Sequence, residues 1–418
     1  MKKNYLGTIH LFLFVFIFSS YLPAQPERLV LTLSKTIDYG LEHAMSIRSA
    51  QAFIEQQQGL KKQVTWLPNP QFELNLEEIP FGNSLGSANE KQLVMEQSIP
   101  FPLKMYTRFR MHSRFLESTE YNLAAVKIKV TTDIKIAYST ILYWRDRIDL
   151  AKRSLELAGD FQKKTQLRYE VGEASYLESL RGKVEKANAE QHLKEMQTEF
   201  QKALSQLKFT LGLDQTIDVV LQDSLIFRPV QIKGEELLVS SLVMRHPDYL
   251  GIQKKVEGAK LGKSLVKQGY LPDIDIHGMR QKVGGNSRLF GIGIGFSFPL
   301  WFFSNQSGQI QEATGILRQL ETEAINQQLM IQAAIKSSYV SVQNEQSRVS
   351  TYTREILLLA EEGLRVARRS FMEGEIGYIE FLEAQRSYFT TKADYLEAVL
   401  KYTIARAELE QAIGKEIE

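Results

Sequence analysis

Phe290-Gly291-Ile292-Gly293-Ile294-Gly295-Phe296-Ser297-Phe298 alternates strictly between large apolar and small residues. Successive side chains of a strand point to opposite faces. Phe290, Ile292, Ile294, Phe296 and Phe298 therefore share one bulky apolar face, and Gly291, Gly293, Gly295 and Ser297 share a nearly bare one. Just upstream, Ile274 and Ile276 alternate against Asp273, Asp275 and His277. Earlier in the chain Phe72, Leu74 and Leu76 alternate against Gln71, Glu73 and Asn75, and Leu93 to Ile99 follows with Gln97 on its apolar face. Strands of about ten residues, apolar on one side and polar or small on the other, describe a transmembrane β-barrel. A soluble antiparallel sheet with one buried face shows the same alternation.

The segments next to these strands are rods. Between Pro102 and Gly172 there is no proline and a single glycine, Gly159. Between Pro299 and Gly374 there is again no proline. Helices of that extent reach roughly 100–110 Å at about 1.5 Å per residue. Shorter helices are expected near 34–64, 175–211, 235–268 and 376–413, each about half as long. A rod of this length packs only along other rods, so stacked short helices are expected to line a continuous long one. In the last helix Phe381, Tyr388, Tyr395, Tyr402 and Leu409 recur every seven residues, with Ala384, Thr391, Ala398, Ala405 and Ala412 three residues further on. Large side chains at one seam position and small ones at the other form a coiled-coil pattern. A plain amphipathic core helix is the simpler alternative.

The chain is also a duplication. Gly172, Glu173, Tyr176, Glu178, Leu180, Glu195, Ala203, Leu207 and Gly212 recur, without a gap, as Gly374, Glu375, Tyr378, Glu380, Leu382, Glu397, Ala405, Leu409 and Gly414. Trp66-Leu67-Pro68 matches Tyr270-Leu271-Pro272. Residues 25–213 thus read as a first structural repeat (helix, two strands, long helix, helix), 214–234 as a linker and 235–418 as a second repeat. Thr216 to Leu221 could add a short strand in the linker.

Residues 1–24 read as a secretory signal peptide. Lys2 and Lys3 precede the apolar run Leu11 to Phe18, and small residues lead to cleavage after Ala24. A membrane anchor is the alternative, but the run is short for a span. The chain has no cysteine. That excludes disulfides, thiolate metal sites, a cysteine nucleophile and a lipidated cysteine. Charge is balanced, 51 Lys+Arg against 49 Asp+Glu, which speaks against a nucleic-acid partner. Four strands cannot close in lipid, where open edges are not tolerated and barrels begin at about eight strands. Several chains in a ring are therefore needed to complete one barrel.

This order of elements resembles the TolC-like outer membrane efflux proteins over nearly all of the expected mature chain. The most specific pieces are Arg168-Tyr169-Glu170-Val171-Gly172-Glu173-Ala174-Ser175-Tyr176-Leu177-Glu178 and its copy from Ser370 to Gln385, which are similar to the family's two helix-turn-helix tips. Phe298-Pro299-Leu300 is similar to the family's passage from last strand to long helix. The resemblance implies a mainly α fold with a small membrane β part: a coiled-coil helical tunnel, and four strands per chain completed as a 12-stranded barrel in a homotrimer. It further implies a duct running from the bacterial outer membrane into the periplasm. Its partners would be outer membrane lipid, a periplasmic adaptor (membrane fusion protein) and an inner-membrane pump of RND type.

The resemblance also assigns roles to residues. Glu380 and Glu383 occupy the places of the family's acidic rings at the closed entrance. Their spacing puts both carboxylates on one helix face, and three copies would favour cations. Glu178 is the first tip's counterpart, followed there by Arg181. A solvated acidic face is the plainer reading of these carboxylates. Val171, Gly172, Glu173, Glu373, Gly374 and Glu375 match the surface that adaptors grip, and a simple left-handed turn between helices accounts for the glycines equally well. The family's best-known members latch the entrance with a Tyr and an Arg of the second tip, where this chain has Phe371 and Ile376. A different latch is implied.

Nothing points to an enzyme. There is no P-loop, no G-x-G-x-x-G after a buried strand and no G-x-S-x-G elbow. His43, His112, His192, His246 and His277 show no helical ligand spacing, so no metal site and no cofactor are expected. Two function classes fit: an export duct, and a non-transporting coiled-coil scaffold of the envelope. The Phe/Ile-against-Gly/Ser alternation favours the duct, since a scaffold has no use for it. Phe298-Pro299-Leu300-Trp301 and the polar stretch Ser304 to Gln309 are similar to the CzcC-like cation-efflux branch, which implies metal cations as cargo. Multidrug export and type I protein secretion use the same kind of duct and stay open.

Overall fold

The computed structural model describes residues 28–417 except 232–233, 235–238, 240, 284–286 and 299–304. The leader 1–24, Pro299, Leu300, Trp301 and Ser304 lie outside the described residues.

A first short strand, β1 (Arg28–Leu31), leads into α1 (Leu33–His43) and α2 (Met45–Thr65). The single helix expected over 34–64 is thus two. Ala44 leaves the helical region at φ −58°, ψ 132°, and its side chain is buried, so the chain bends into the core rather than running straight. Strands β2 (Gln71–Glu77) and β3 (Glu90–Ile99) follow. Then comes α3 (Pro102–Glu170), 69 residues without a break, or about 104 Å. Pro102 opens it, as a residue without an N–H can at a first turn. The first repeat ends with α4 (Tyr176–Leu211), stopped by Gly212 in the left-handed region.

The linker does contain a strand, β4 (Asp218–Leu221), which pairs in parallel with β1. In the second repeat, α5 spans Pro247–Lys267; the expected start at 235 lies outside the described residues, 239 and 241–242 are helical, and a break over 243–246 precedes α5. His246 is extended there and accepts a hydrogen bond from the Asp248 N–H, while Pro247 takes the first helical position. Strands β5 (Asp273–Val283) and β6 (Ser287–Ser297) lead to α6 (Asn305–Thr351). The second rod is not one α-helix: a π-helical turn at Tyr352–Ile356 separates α6 from α7 (Leu357–Glu373). Such turns add a residue to the ladder and rotate the faces beyond it. The last helix is α8 (Tyr378–Ile413).

The short helices line the long one as the length arithmetic suggests. Near its start α3 meets α5, where Gly258 admits the Phe115 ring against the helix backbone. Near its end it meets α4 and α8, where Phe161 stacks on Tyr378. Each repeat has its own core. Leu207 and Leu211 are fully buried in the first, with Ile134 and Ile47; Leu409 and Ile413 are buried in the second, with Ile335 and Val342. Ala203 and Ala405 are buried at the matching place. The heptad seam of α8 is buried toward the linker (Ala398, Tyr402, Ala405, Leu409) and only half-buried toward the tip (Phe381, Tyr388, Tyr395).

At mid-height a clasp closes around the first strand. Asp223 accepts from the Tyr138 hydroxyl at 2.6 Å and from the Leu33 N–H at 2.8 Å, and the Arg145 guanidinium donates to its carbonyl at 2.8 Å. The Tyr138 and Leu33 hydrogen bonds hold the Asp223 carboxyl below the usual range. On the other side Glu410 is buried between Lys135 (2.7 Å) and Arg406 (3.0 Å). A buried carboxylate persists only with such partners.

Candidate pore face and helical tips

The four longer strands form one antiparallel sheet in the order β2-β3-β5-β6. The register carries the alternation across every strand. Phe72 faces Met95, Leu74 faces Leu93, Ile274 faces Phe296 and Ile276 faces Ile294, all on one side. On this side Phe290 is 75% and Ile292 73% exposed, and Ile294, Phe296 and Phe298 are exposed as well. The other side carries Glu73, Glu77, Glu90, Glu96, Asp273, Asp275 and His277, with no Lys or Arg among the described strand residues. The Lys and Arg residues described in this sheet, Lys91, Arg280, Lys282 and Arg288, lie on the apolar side. The bare glycines also have a packing reason. A Cβ on Gly293 would overlap the His277 imidazole, and one on Gly291 would crowd the Met279 side chain. Asp273 is a structural clasp: its Oδ1 takes the Phe101 N–H at 3.0 Å and the Lys104 Nζ at 2.9 Å, tying β5 to the start of α3.

At the opposite end of the helices, two tips repeat one backbone design. Gly172 and Gly374 are left-handed at φ 80° and 79°. In the first tip the Glu173 N–H reaches back to the Arg168 carbonyl at 2.8 Å; in the second the Glu375 N–H reaches the Ser370 carbonyl at 2.8 Å. These are six-to-one helix-ending bonds, which satisfy a carbonyl left over by the terminating helix. Val171, Glu173, Glu373 and Glu375 are exposed around the two glycines.

The acidic residues separate. Glu380 and Glu383 lie exposed one turn apart at the start of α8, and no ion pair joins either to a described residue. Glu178 instead pairs with Arg168 across its own turn at 3.3 Å. Phe371, which stands where a latch tyrosine would be, stacks on Phe381 at 5.2 Å and meets Tyr378 edge-on at 5.9 Å. Tyr378 lies flat against Phe161 at 3.4 Å. Burial, and then the Glu185 carboxylate, push the Tyr378 phenol well above its ordinary range. Arg386 and Glu185 form an ion pair between α8 and α4. A cavity of 720 Å³ opens between the tips, lined by Phe161, Phe371, Phe381 and the cations Lys164 and Arg368.

Sequence reasoning missed these joints. Phe161–Tyr378 and Glu185–Arg386 connect residues about 200 positions apart, and neither partner has a local signature. The histidines are scattered. His43 stacks on Tyr39, His246 caps α5, and among the described residues no three His, Asp or Glu side chains are placed to hold a metal ion.

An acidic-faced antiparallel sheet at one end of helices about 100 Å long, with paired hairpin tips at the other, defines a membrane channel with a helical tunnel. The chain belongs to the outer membrane efflux protein family, which matches residues 37–213 and 238–415. It is 21% identical to the cobalt-zinc-cadmium resistance protein CzcC of Cupriavidus metallidurans over 406 residues, 95% of this chain and 94% of that one. Its fold matches CusC, described for transmembrane channel formation, at a TM-score of 0.77 and 14% identity over 92% of both chains. It also matches the outer membrane protein VceC of Vibrio cholerae at 0.75 and 16%, over 92% of this chain and 97% of that one. The protein is thus an outer membrane efflux channel that extends into the periplasm, and not an enzyme. Proteins of this family form trimers and work with a periplasmic adaptor and an inner-membrane pump. The envelope-scaffold alternative falls with that assignment.

Proposed function

We propose that this chain forms a homotrimeric duct for metal cations. The observation that carries the reading is the sorting of charge on the sheet: six carboxylates and no Lys or Arg on the polar face. With three copies closing a barrel of 12 strands, that face lines the lumen. A ring of carboxylates concentrates cations and repels anions. The apolar face (Phe290, Ile292, Ile294, Phe296 and Phe298) then meets lipid. At the other end Glu380 and Glu383, without ion pairs among the described residues, supply the acidic rings of the entrance, with Glu178 held back by Arg168. The exposed turns around Gly172 and Gly374 (Val171, Glu173, Glu373, Glu375) receive the adaptor, which couples the duct to an inner-membrane pump of RND type. The likeness to a protein named for cobalt, zinc and cadmium resistance supports the same cargo.

The test is a deletion strain challenged with divalent metals, bile salts, dyes and antibiotics, complemented by wild type or by Glu380→Gln/Glu383→Gln. Sensitivity to metals alone, restored by wild type and only partly by the double variant, is expected. Sensitivity to dyes and bile salts without metal sensitivity would make the duct a general exporter.

A further inference from the structure

The apolar side of the sheet is not apolar to its end. Lys91 on β3 stands directly opposite Lys282 on β5, and Lys282 directly opposite Arg288 on β6. Arg280 shares the same face two residues before Lys282. Three neighbouring strands thus line up like charges at one level. Directly opposed like charges destabilise a sheet, and strands lie about 4.8 Å apart, so this row needs an anion. The described residues do not provide one. No Asp or Glu occupies this face of the four strands among the described residues, and no ion pair reaches the four cations. Glu78, just past β2, makes no ion pair with them. Lys91 only donates to the Gly86 carbonyl at 2.8 Å. Arg280, Lys282 and Arg288 are exposed.

The position of the row identifies its partner. At their other ends these strands join the helices, at Pro102, Asn305, Thr65 and Tyr270, so the cations lie at the end away from the periplasm. They stand at the edge of the apolar band: on β6 Phe290 is its last member and Arg288 the next outward residue, Arg280 lies level with Phe290, and Leu76 of β2 lies level with Lys91. From Phe290 to Phe298 the band is about 27 Å along the strand at about 3.4 Å per residue. At a barrel tilt of about 35–45° this is roughly 20 Å of height, most of the apolar band of about 25 Å. In a closed ring β6 would meet the neighbour's β2, whose outward residues are Phe72, Leu74 and Leu76, so a second copy brings no carboxylate from that strand.

We propose that Lys91, Arg280, Lys282 and Arg288 bind the phosphate groups of the phosphorylated glycolipid that fills the outer leaflet. The proposal rests on the barrel reading given above. A row of cations spanning three strands matches a headgroup that carries more than one phosphate on a rigid sugar, anchored by acyl chains over Phe290 and Ile292.

The experiment uses full-length trimers in neutral detergent, incubated with lipid A, phosphatidylglycerol or inorganic phosphate. Bound phosphorus is counted after gel filtration, for wild type and for Lys91→Gln/Lys282→Gln/Arg288→Gln. Lipid A retained by wild type, with affinity about fivefold lower per charge removed and about a hundredfold lower in the triple variant, is expected. Acetylation of wild-type Lys91 and Lys282, slowed by lipid A and not by phosphatidylglycerol, reads the same contact without any substitution. Equal retention by the triple variant, equal protection by phosphatidylglycerol, or capture of inorganic phosphate alone overturns the proposal while heat-resistant trimers leave the barrel intact. A chain that forms no detergent-extracted trimer overturns both.

Discussion

At the first tip Ser175 caps α4 by accepting the Glu178 N–H, and Arg168 spans the turn to the Glu178 carboxylate and the Glu173 carbonyl. At the second tip Gly377 stands in the cap position with no side chain to offer, and Phe371 packs on Phe381 and Tyr378 instead. The backbones agree to within a degree of φ at Gly172 and Gly374, yet the first tip adds a side-chain cap and the Arg168 clamp to its Tyr169–Tyr176 contact, and the second adds a ring cluster to its Ser370–Glu375 hydrogen bond. The second also borrows from the first repeat, through Phe161 under Tyr378 and Glu185 beside Arg386. The two tips share the turn and differ in how it is fastened. The second tip thus depends more on contacts from outside itself, and its helix starts without a side-chain cap. It is also the tip that carries Glu380 and Glu383.

The sharpest way to break this comparison is Phe161→Ala. Phe161 is 7% exposed and carries the stack under Tyr378, so its loss costs about 3–5 kcal/mol. Hydrogen exchange is expected to rise around 374–377 far more than around 171–175. Equal loosening of both tips would show that the stack serves α3 alone. Next come Gly172→Ala and Gly374→Ala. Both residues are left-handed with open space around them, so each change costs about 1–2 kcal/mol from backbone strain alone. Thermal unfolding should give nearly equal losses, and a twofold difference would contradict the common turn geometry. Smallest are the caps. Ser175→Ala should lose about 1 kcal/mol, whereas Gly377→Ser should gain a few tenths by adding the missing cap. A loss at Gly377→Ser would mean that Glu380, whose carboxylate folds back over that position, must stay there. Chemical denaturation resolves the first and hydrogen exchange at the second tip the other.

Much of the fold was legible in particular residues. The alternation from Phe290 to Phe298 read as a strand with one apolar face, and β6 and its neighbours have that form. Gly172, Gly212, Gly374 and Gly414 marked helix ends, and all four are left-handed. Three features were misread. Ala44 breaks α1 from α2 because its methyl enters the core, and alanine is otherwise the best helix former. The helix expected over 235–268 is interrupted at Val243–Arg245 and the extended His246, since Pro247 was not weighed against the apolar pattern. The π-helical turn at Tyr352–Ile356 has no sequence punctuation at all, neither Gly nor Pro. Of the candidate site, the exposure of Glu380 and Glu383 and the left-handed turns at Gly172 and Gly374 could be named in advance. That Glu178 pairs with Arg168, while Glu380 and Glu383 form no ion pair among the described residues, could not.

The sequence by itself determined the periods, the stops and the duplication. These are local: alternation in twos makes a strand face, a long stretch free of proline makes a rod, and a glycine at a left-handed position ends a helix. Only the tertiary structure decided which faces meet. It set Lys91, Lys282 and Arg288 in one row, placed His277 over Gly293, and stacked Phe161 on Tyr378. Register and long-range packing depend on how separate segments dock, and that free energy is shared among residues with no pattern linking them along the chain.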